Sequence, residues 1–173
     1  MFRFKCTSCN KWHEGMPAFG AAAPLYLYAI PAAERNKRCV LTNDTCVVDE
    51  RDFFVRGCLE IPVHGASEPF EWGVWVSLSK ASYDPFLRSF NESKRSHIGP
   101  FFGWLSAEIP LYPSTENLKT HVHLRDDGVR PYIELEPTDH PLAVEQRNGI
   151  TVDRVAEIFA YYERRNPEPT SMG

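Results

Sequence analysis

The sequence predicts an α+β fold: one domain with a mainly antiparallel sheet, a C-terminal amphipathic helix and an N-terminal cysteine knuckle. Three observations carry that prediction. Residues 53–63, from Cys58 onward, and residues 70–78 alternate apolar and polar side chains with the period of a strand. The turn-like bridge 64–69 allows these two stretches to pair as a hairpin. Near the C-terminus Val152, Val155, Ile158, Phe159 and Tyr162 recur at helical spacing. Strand candidates outnumber helix candidates, and neighbouring strands can pair through short connections, which favours α+β over alternating βαβ units.

The elements follow in order. Residues 2–5 read as a short strand entering a cysteine turn, and 15–24 as a loop of small residues. Residues 25–30 have strand composition, and 31–35 suit one helical turn. Short strands are expected at 40–41 and 46–48, around the turn Thr42-Asn43-Asp44. On the strand 70–78, Trp72, Val74, Val76 and Leu78 share one face and Trp75 lies on the other, as in a strand covered on both sides. Ser79 can cap a helix over 80–91 with Phe86, Leu87 and Phe90 on its apolar side, unless Pro85 moves the start to Asp84. Residues 101–109 are apolar and extended. Residues 118–124 and 132–135 form a further strand pair, joined through Asp126-Asp127-Gly128. Thr138 or Asp139 can cap a short helix over 141–147 that ends at Asn148-Gly149. Thr151 caps the last helix, 151–164, with Asp153 at the positive end of its dipole. The domain is thus 1–165, and 166–173 is expected to be a frayed, flexible C-terminal tail.

A chain of 173 residues is enough for one full hydrophobic core. Its 43% hydrophobic and 24% charged residues are ordinary for a globular protein and argue against global disorder. The net charge is −4 with no basic run, so no nucleic-acid partner is expected, because phosphate contacts supply most of that affinity. No apolar segment has the length of a signal peptide or a membrane span, so no membrane partner is expected. Five cysteines, an odd number, point to a reducing cytoplasm rather than a disulfide framework.

Cys6-Thr7-Ser8-Cys9 is the most informative motif, with His13 four residues on. Two thiolates across a tight turn can grip one metal ion, and zinc prefers sulfur and imidazole nitrogen. The pair is half of a site. His13 can curl back over the ion, and Cys46 and Cys58 can come from neighbouring strands; the spacing of Cys39 carries no information. The expected site is therefore a structural zinc on Cys6 and Cys9, with Cys46 and one of His13 or Cys58 completing it. A redox dithiol would open a helix, and residues 10–17 have no helical periodicity. The competing reading is a set of ordinary buried thiols.

Other chemistry is less specific. His121 and His123 flank Val122 and share a strand face, yet no third ligand is placed with them. His140 precedes Pro141 at a helix start, where capping or turn formation is its expected role. Arg56 interrupts an apolar strand, and Glu134 and Glu136 share a face, as a solvated strand surface also would. No nucleophile elbow, phosphate-binding loop, dinucleotide fingerprint or zincin motif is present.

One resemblance spans residues 2–158. It rests on Phe4-Lys5-Cys6-Thr7-Ser8-Cys9 with His13-Glu14-Gly15, then Cys46-Val47-Val48-Asp49, Phe53-Phe54-Val55-Arg56-Gly57 and Trp72-Gly73-Val74-Trp75-Val76-Ser77. Gly103-Trp104-Leu105, Tyr112-Pro113, Leu118-Lys119, Arg130-Pro131 and the run from Glu134 to Ala143 continue it. In these the chain resembles the uncharacterised bacterial domain-of-unknown-function family 2199. The resemblance implies a single-domain cytoplasmic bacterial protein and carries no activity, substrate or catalytic residue. Two function classes follow: a small zinc-stabilised module that binds a protein or small-molecule partner, or a hydrolase-like enzyme using His121, His123, His140, Arg56 and nearby acids in an aromatic-lined cleft. A cleft holding two or more of those groups would favour the enzyme.

Overall fold

The long hairpin is the frame of the molecule. In a computed structural model that describes residues 1–166, β6 (Asp52–Ile61) and β7 (Phe70–Leu78) pair antiparallel from Phe53↔Leu78 to Ile61↔Phe70. The sheet continues through β8 (Phe101–Leu105), β9 (Lys119–His123) and β10 (Tyr132–Leu135), each antiparallel to the one before. β10 then returns to β6 in parallel at Tyr132↔Cys58, where the Cys58 amide donates to the Pro131 carbonyl at 2.8 Å. The ladder β6–β7–β8–β9–β10 therefore closes on itself, and the sheet is α+β in context and mainly antiparallel, as its alternation predicts.

Short strands extend the two central ones. β5 (Thr45–Val48) pairs with the first half of β6, and β4 (Cys39–Leu41) pairs with β5. β3 (Ala18–Gly20) runs parallel to β7 within the stretch expected to be loop. β1 (Arg3–Lys5) and β2 (Trp12–Glu14) form a separate two-stranded sheet around the cysteine turn.

Alternation sorts the side chains into two cores. Val55, Leu59 and Ile61 of β6 and Phe70, Trp72, Val74, Val76 and Leu78 of β7 face the main core. Trp75 faces the other side, with Cys46, Val48, Phe54, Leu27 and Ile30. Gly57 lies on the inner face where β10 closes; a Cβ there would stand 2.6 Å from Ile133 Cδ1 and 2.8 Å from the Pro131 carbonyl, so the closure depends on its missing side chain.

Helices cover the edges. α5 (Val152–Glu163) has Thr151 as N-cap, accepting from the Arg154 amide, and buries Val155 and Ile158 in the main core. α4 (Pro141–Asn148) is capped by His140, whose side chain accepts from the Leu142 amide, in place of Thr138 or Asp139. α3 (Lys80–Arg88) starts at Ser79 as expected and keeps Pro85 inside. The proline denies a hydrogen bond to the Ala81 carbonyl, but Ala81 is exposed and water can take the place. Tyr83 and Phe86 are the buried side of α3, while Leu87 is exposed.

One element differs in kind from its composition. Residues expected as a strand at 25–30 form α1 (Leu25–Tyr28), behind Pro24. Leu27 and Ile30, three apart, turn to the same side and pack under Trp75, which a strand would not allow. α2 (Ala32–Arg38) extends the expected single turn. Of the expected tail 166–173, residues 167–173 lie outside the described residues.

Candidate metal centre

The cysteine turn is built by its own backbone. The Cys6 amide donates to the Lys11 carbonyl at 2.9 Å, and the Asn10 amide to the Cys6 carbonyl at 3.1 Å. Asn10 takes a left-handed conformation at φ 60, which asparagine tolerates better than most residues. The Ser8 amide points at Cys6 Sγ from 3.4 Å.

Aromatic packing sets the turn against α5. Phe4 is paired with His13 across β1 and β2, and the two rings stack at 5.5 Å. Phe159 meets Phe4 edge-on at 5.0 Å and His13 at 4.4 Å. Glu163 lies four residues beyond Phe159, on the same face of α5. Docking Phe159 onto this stack therefore carries the Glu163 carboxylate to the thiols.

Four donor groups converge as a result. One ligand atom from each of Cys6, Cys9, His13 and Glu163 lies within 4.8 Å of every other. Cys9 Sγ is 3.2 Å from His13 Nε2, and the Cys6 thiol donates to Glu163 Oε2 at 3.1 Å. Ser8 Oγ donates to the same carboxylate oxygen at 2.9 Å. Cys6 is buried and the other three are partly exposed.

The electrostatics is that of a carboxylate packed against two thiols. Hydrogen bonds from Cys6 and Ser8 hold the Glu163 carboxyl below its usual range, against a small desolvation cost. At Cys9 the Lys11 amide pulls the thiol down. Desolvation, the hydrogen bond with Cys6 and the negative charges of Cys6 and Glu163 together outweigh it and raise the thiol. A cation among these groups would relieve that repulsion.

Cys46 and Cys58 do not join this group, which corrects the expected ligand set. Cys46, on β5, and Cys58, on β6, share the outer face of the sheet, away from the main core that carries Phe4 and α5. Strand alternation decides it: Phe54, Arg56, Cys58 and Glu60 all point outward when Val55, Leu59 and Ile61 point inward. Cys46 is fully buried against Phe54 and Trp75, and burial pushes its thiol up to about 11, with a smaller push from Cys39. Cys58 is partly buried, and desolvation ahead of the Glu71 charge raises it too. Glu163 is the ligand candidate that the sequence does not single out. Its only sequence signal is its place four residues after Phe159 on an apolar stripe, and nothing in the sequence says that the stripe's end meets the cysteine turn.

The groups of the enzymatic reading stand apart. His121 and His123 share a face of β9 and meet Glu136 at 3.5 Å and Glu134 at 3.4 Å; Glu134 is exposed and the other three are partly exposed. His140 caps α4 and turns Nε2 to the Pro113 and Ser114 carbonyls. Arg56 lies on the outer face of β6 over the Trp75 ring, at 5.9 Å.

Comparison with known proteins gives one result. A family model described as an uncharacterized protein conserved in bacteria, DUF2199, matches residues 5–150. The chain belongs to the DUF2199 family. The match takes in the cysteine turn and the whole strand ring of this DUF2199 protein and stops before α5, so Glu163 lies beyond it. No curated protein and no solved structure matches the chain.

Proposed function

We propose that this DUF2199 protein is a small zinc-stabilised binding module, in which one zinc ion held by Cys6, Cys9, His13 and Glu163 fastens the N-terminal turn to α5. The observation that carries the reading is the convergence of three donors from one N-terminal turn with a fourth, Glu163, from the far end of the sequence. Zinc bonds of about 2.0–2.3 Å in a tetrahedron put ligand atoms roughly 3.3–3.8 Å apart, and modest rotation of these side chains reaches that. Thiolate, imidazole and carboxylate are all zinc ligands, and the two thiolates favour zinc over magnesium or calcium. Four protein ligands leave no open position for substrate, so the ion's role is stability.

Free thiols at Cys39, Cys46 and Cys58 support a reducing, cytoplasmic setting. The acidic balance supports a protein or small-molecule partner rather than nucleic acid, and no helix among the described residues is long and apolar enough to cross a membrane. Elemental analysis of untagged protein, purified under reducing conditions, tests the zinc. About one zinc per chain is expected. Far less than one, or a content unchanged in Cys9→Ser, overturns the reading.

A further inference from the structure

A second cluster lies away from the thiols and is built from arginines. Arg56, Arg95 and Arg130 line one cavity of about 480 Å³, between the end of α3, the turn Asp127-Gly128 and the seam where β10 meets β6. Arg95 is only 3% exposed. Its Nε donates to the Arg125 carbonyl at 2.9 Å and its Nη2 to the Val129 carbonyl at 3.0 Å, which leaves Nη1 buried without a partner. Arg56, half-buried, repeats part of the pattern: Nη1 reaches the Asn43 carbonyl at 3.4 Å and the Nε atom is buried without a partner.

The carboxylates nearby do not answer these charges. Asp44 is taken by Arg130 at 2.8 Å. Asp127 is mostly exposed and faces Lys94 at 3.8 Å, and the third acid of the lining, Glu92, is exposed. Among the described residues neither Arg56 nor Arg95 has an ion-pair partner. Arg95, removed from water and met only by neutral carbonyls and the face of Phe90 at 5.9 Å, is costly unless an anion completes it. Asp126 is engaged elsewhere: its carboxylate accepts from the Arg95 and Ser96 amides at 2.8 Å each, which fixes the backbone that delivers Arg95.

We propose that this cavity binds a small organic anion, whose phosphate or carboxylate group sits between Arg56 and Arg95 and whose apolar part lies on Phe90. Planar guanidinium groups match the geometry of both oxyanions, and a charge-assisted pair is strongest where water is excluded. Phe90, 36% exposed at the cavity wall, supplies the apolar surface. The volume suits a metabolite rather than a peptide or a nucleic-acid strand. The inference rests on residues separate from the zinc reading and stands or falls without it.

The test is titration of the full chain with phenyl phosphate, benzoate and inorganic phosphate, with benzyl alcohol as the neutral control. Arginine side-chain Nε–H resonances report on the site directly. The expected result is saturable binding of at least one aromatic anion, with shifts at Arg56 and Arg95 and no binding of benzyl alcohol. Phenyl phosphate against benzoate tells a phosphate ligand from a carboxylate one, and inorganic phosphate measures the contribution of Phe90. Arg56→Met keeps the apolar stem and should weaken the anion at least ~tenfold. Arg95→Lys keeps the charge and loses the fork, with a similar loss; should it not fold, Arg56→Met decides alone. Three outcomes overturn the proposal: no binding of any anion by the wild type up to about 10 mM, affinity unchanged in Arg56→Met, or benzyl alcohol binding as well as benzoate.

Discussion

Cys9 and Cys46 sit in two regions that treat the same side chain in opposite ways. In the N-terminal turn, Cys9 is partly exposed and has an imidazole at 3.2 Å, with a second thiol and a carboxylate in the same group. On the outer face of β5 and β6, Cys46 is fully buried among Val48, Phe54 and Trp75, and burial pushes its thiol up to about 11. Both thiols are raised above their ordinary value, and loss of water leads the rise in each; at Cys9, against the pull of the Lys11 amide, the neighbouring Cys6 and Glu163 add to it. Only the part that comes from neighbouring negative groups is undone by a cation. A cysteine's chemistry is thus set by the donors that the tertiary fold brings to it, and its spacing to other cysteines is a weak guide.

The contrast can be broken by substitution. Cys9→Ser should have the largest effect, with zinc affinity falling by at least ~100-fold and the zinc-dependent part of the melting temperature disappearing with it. Elemental analysis and thermal melts with and without chelator check this. Cys46→Ser should leave zinc content unchanged and cost about 1–3 kcal/mol, because a hydroxyl enters an apolar cluster without a partner. Chemical denaturation measures that cost, and loss of zinc in this variant would break the comparison from the other side.

Two smaller effects sharpen it. Glu163→Gln keeps the shape of the side chain and removes its charge, and zinc affinity should fall by ~tenfold as read by competition with a chromogenic chelator. Asp126 gives a control in acid. Hydrogen bonds from the Ser96 and Arg95 amides lower its carboxyl from the ordinary 3.8 to about 2. Its contribution to stability is therefore complete above the ordinary value and is lost as pH falls through that window toward the folded value. In zinc-free protein Asp126→Asn should flatten the acid limb of the stability curve between about pH 4 and pH 2, while Glu163→Gln leaves the Asp126 step in place. Denaturation midpoints across that range separate the two.

The sequence makes some of this plain and hides the rest for physical reasons. The β6–β7 hairpin and the stripe of α5 are legible because each writes its own period into consecutive residues. Cys6, Cys9 and His13 are legible together because one turn joins them. Glu163 is hidden because its approach depends on Phe159 docking on Phe4, a contact between opposite ends of the chain. Cys46 and Cys58 mislead because neighbouring strands bring them to one face of the sheet, and only the placement of the helices says that this is the face away from Cys6, Cys9, His13 and Glu163. Residues 25–28 have strand composition, yet packing under Trp75 selects a helical turn there, an override of local propensity by tertiary contact. The parallel pairing of β3 with β7 has no local signature at all.

A ring of strands held shut by one parallel register pair is expected to open first at that joint. The Cys58 amide, bonded to the Pro131 carbonyl, lies on the joint, whereas the amides between β6 and β7 belong to the longest ladder of the molecule. Exposed to heavy water, the first should trade its hydrogen for deuterium through a local opening, and the second only when the whole domain comes apart. Arg130 and Pro131 belong both to the joint and to the wall of the arginine cavity. An anion seated there acts as a clasp, and the slowing of one amide's exchange becomes a clock for how long the clasp stays closed.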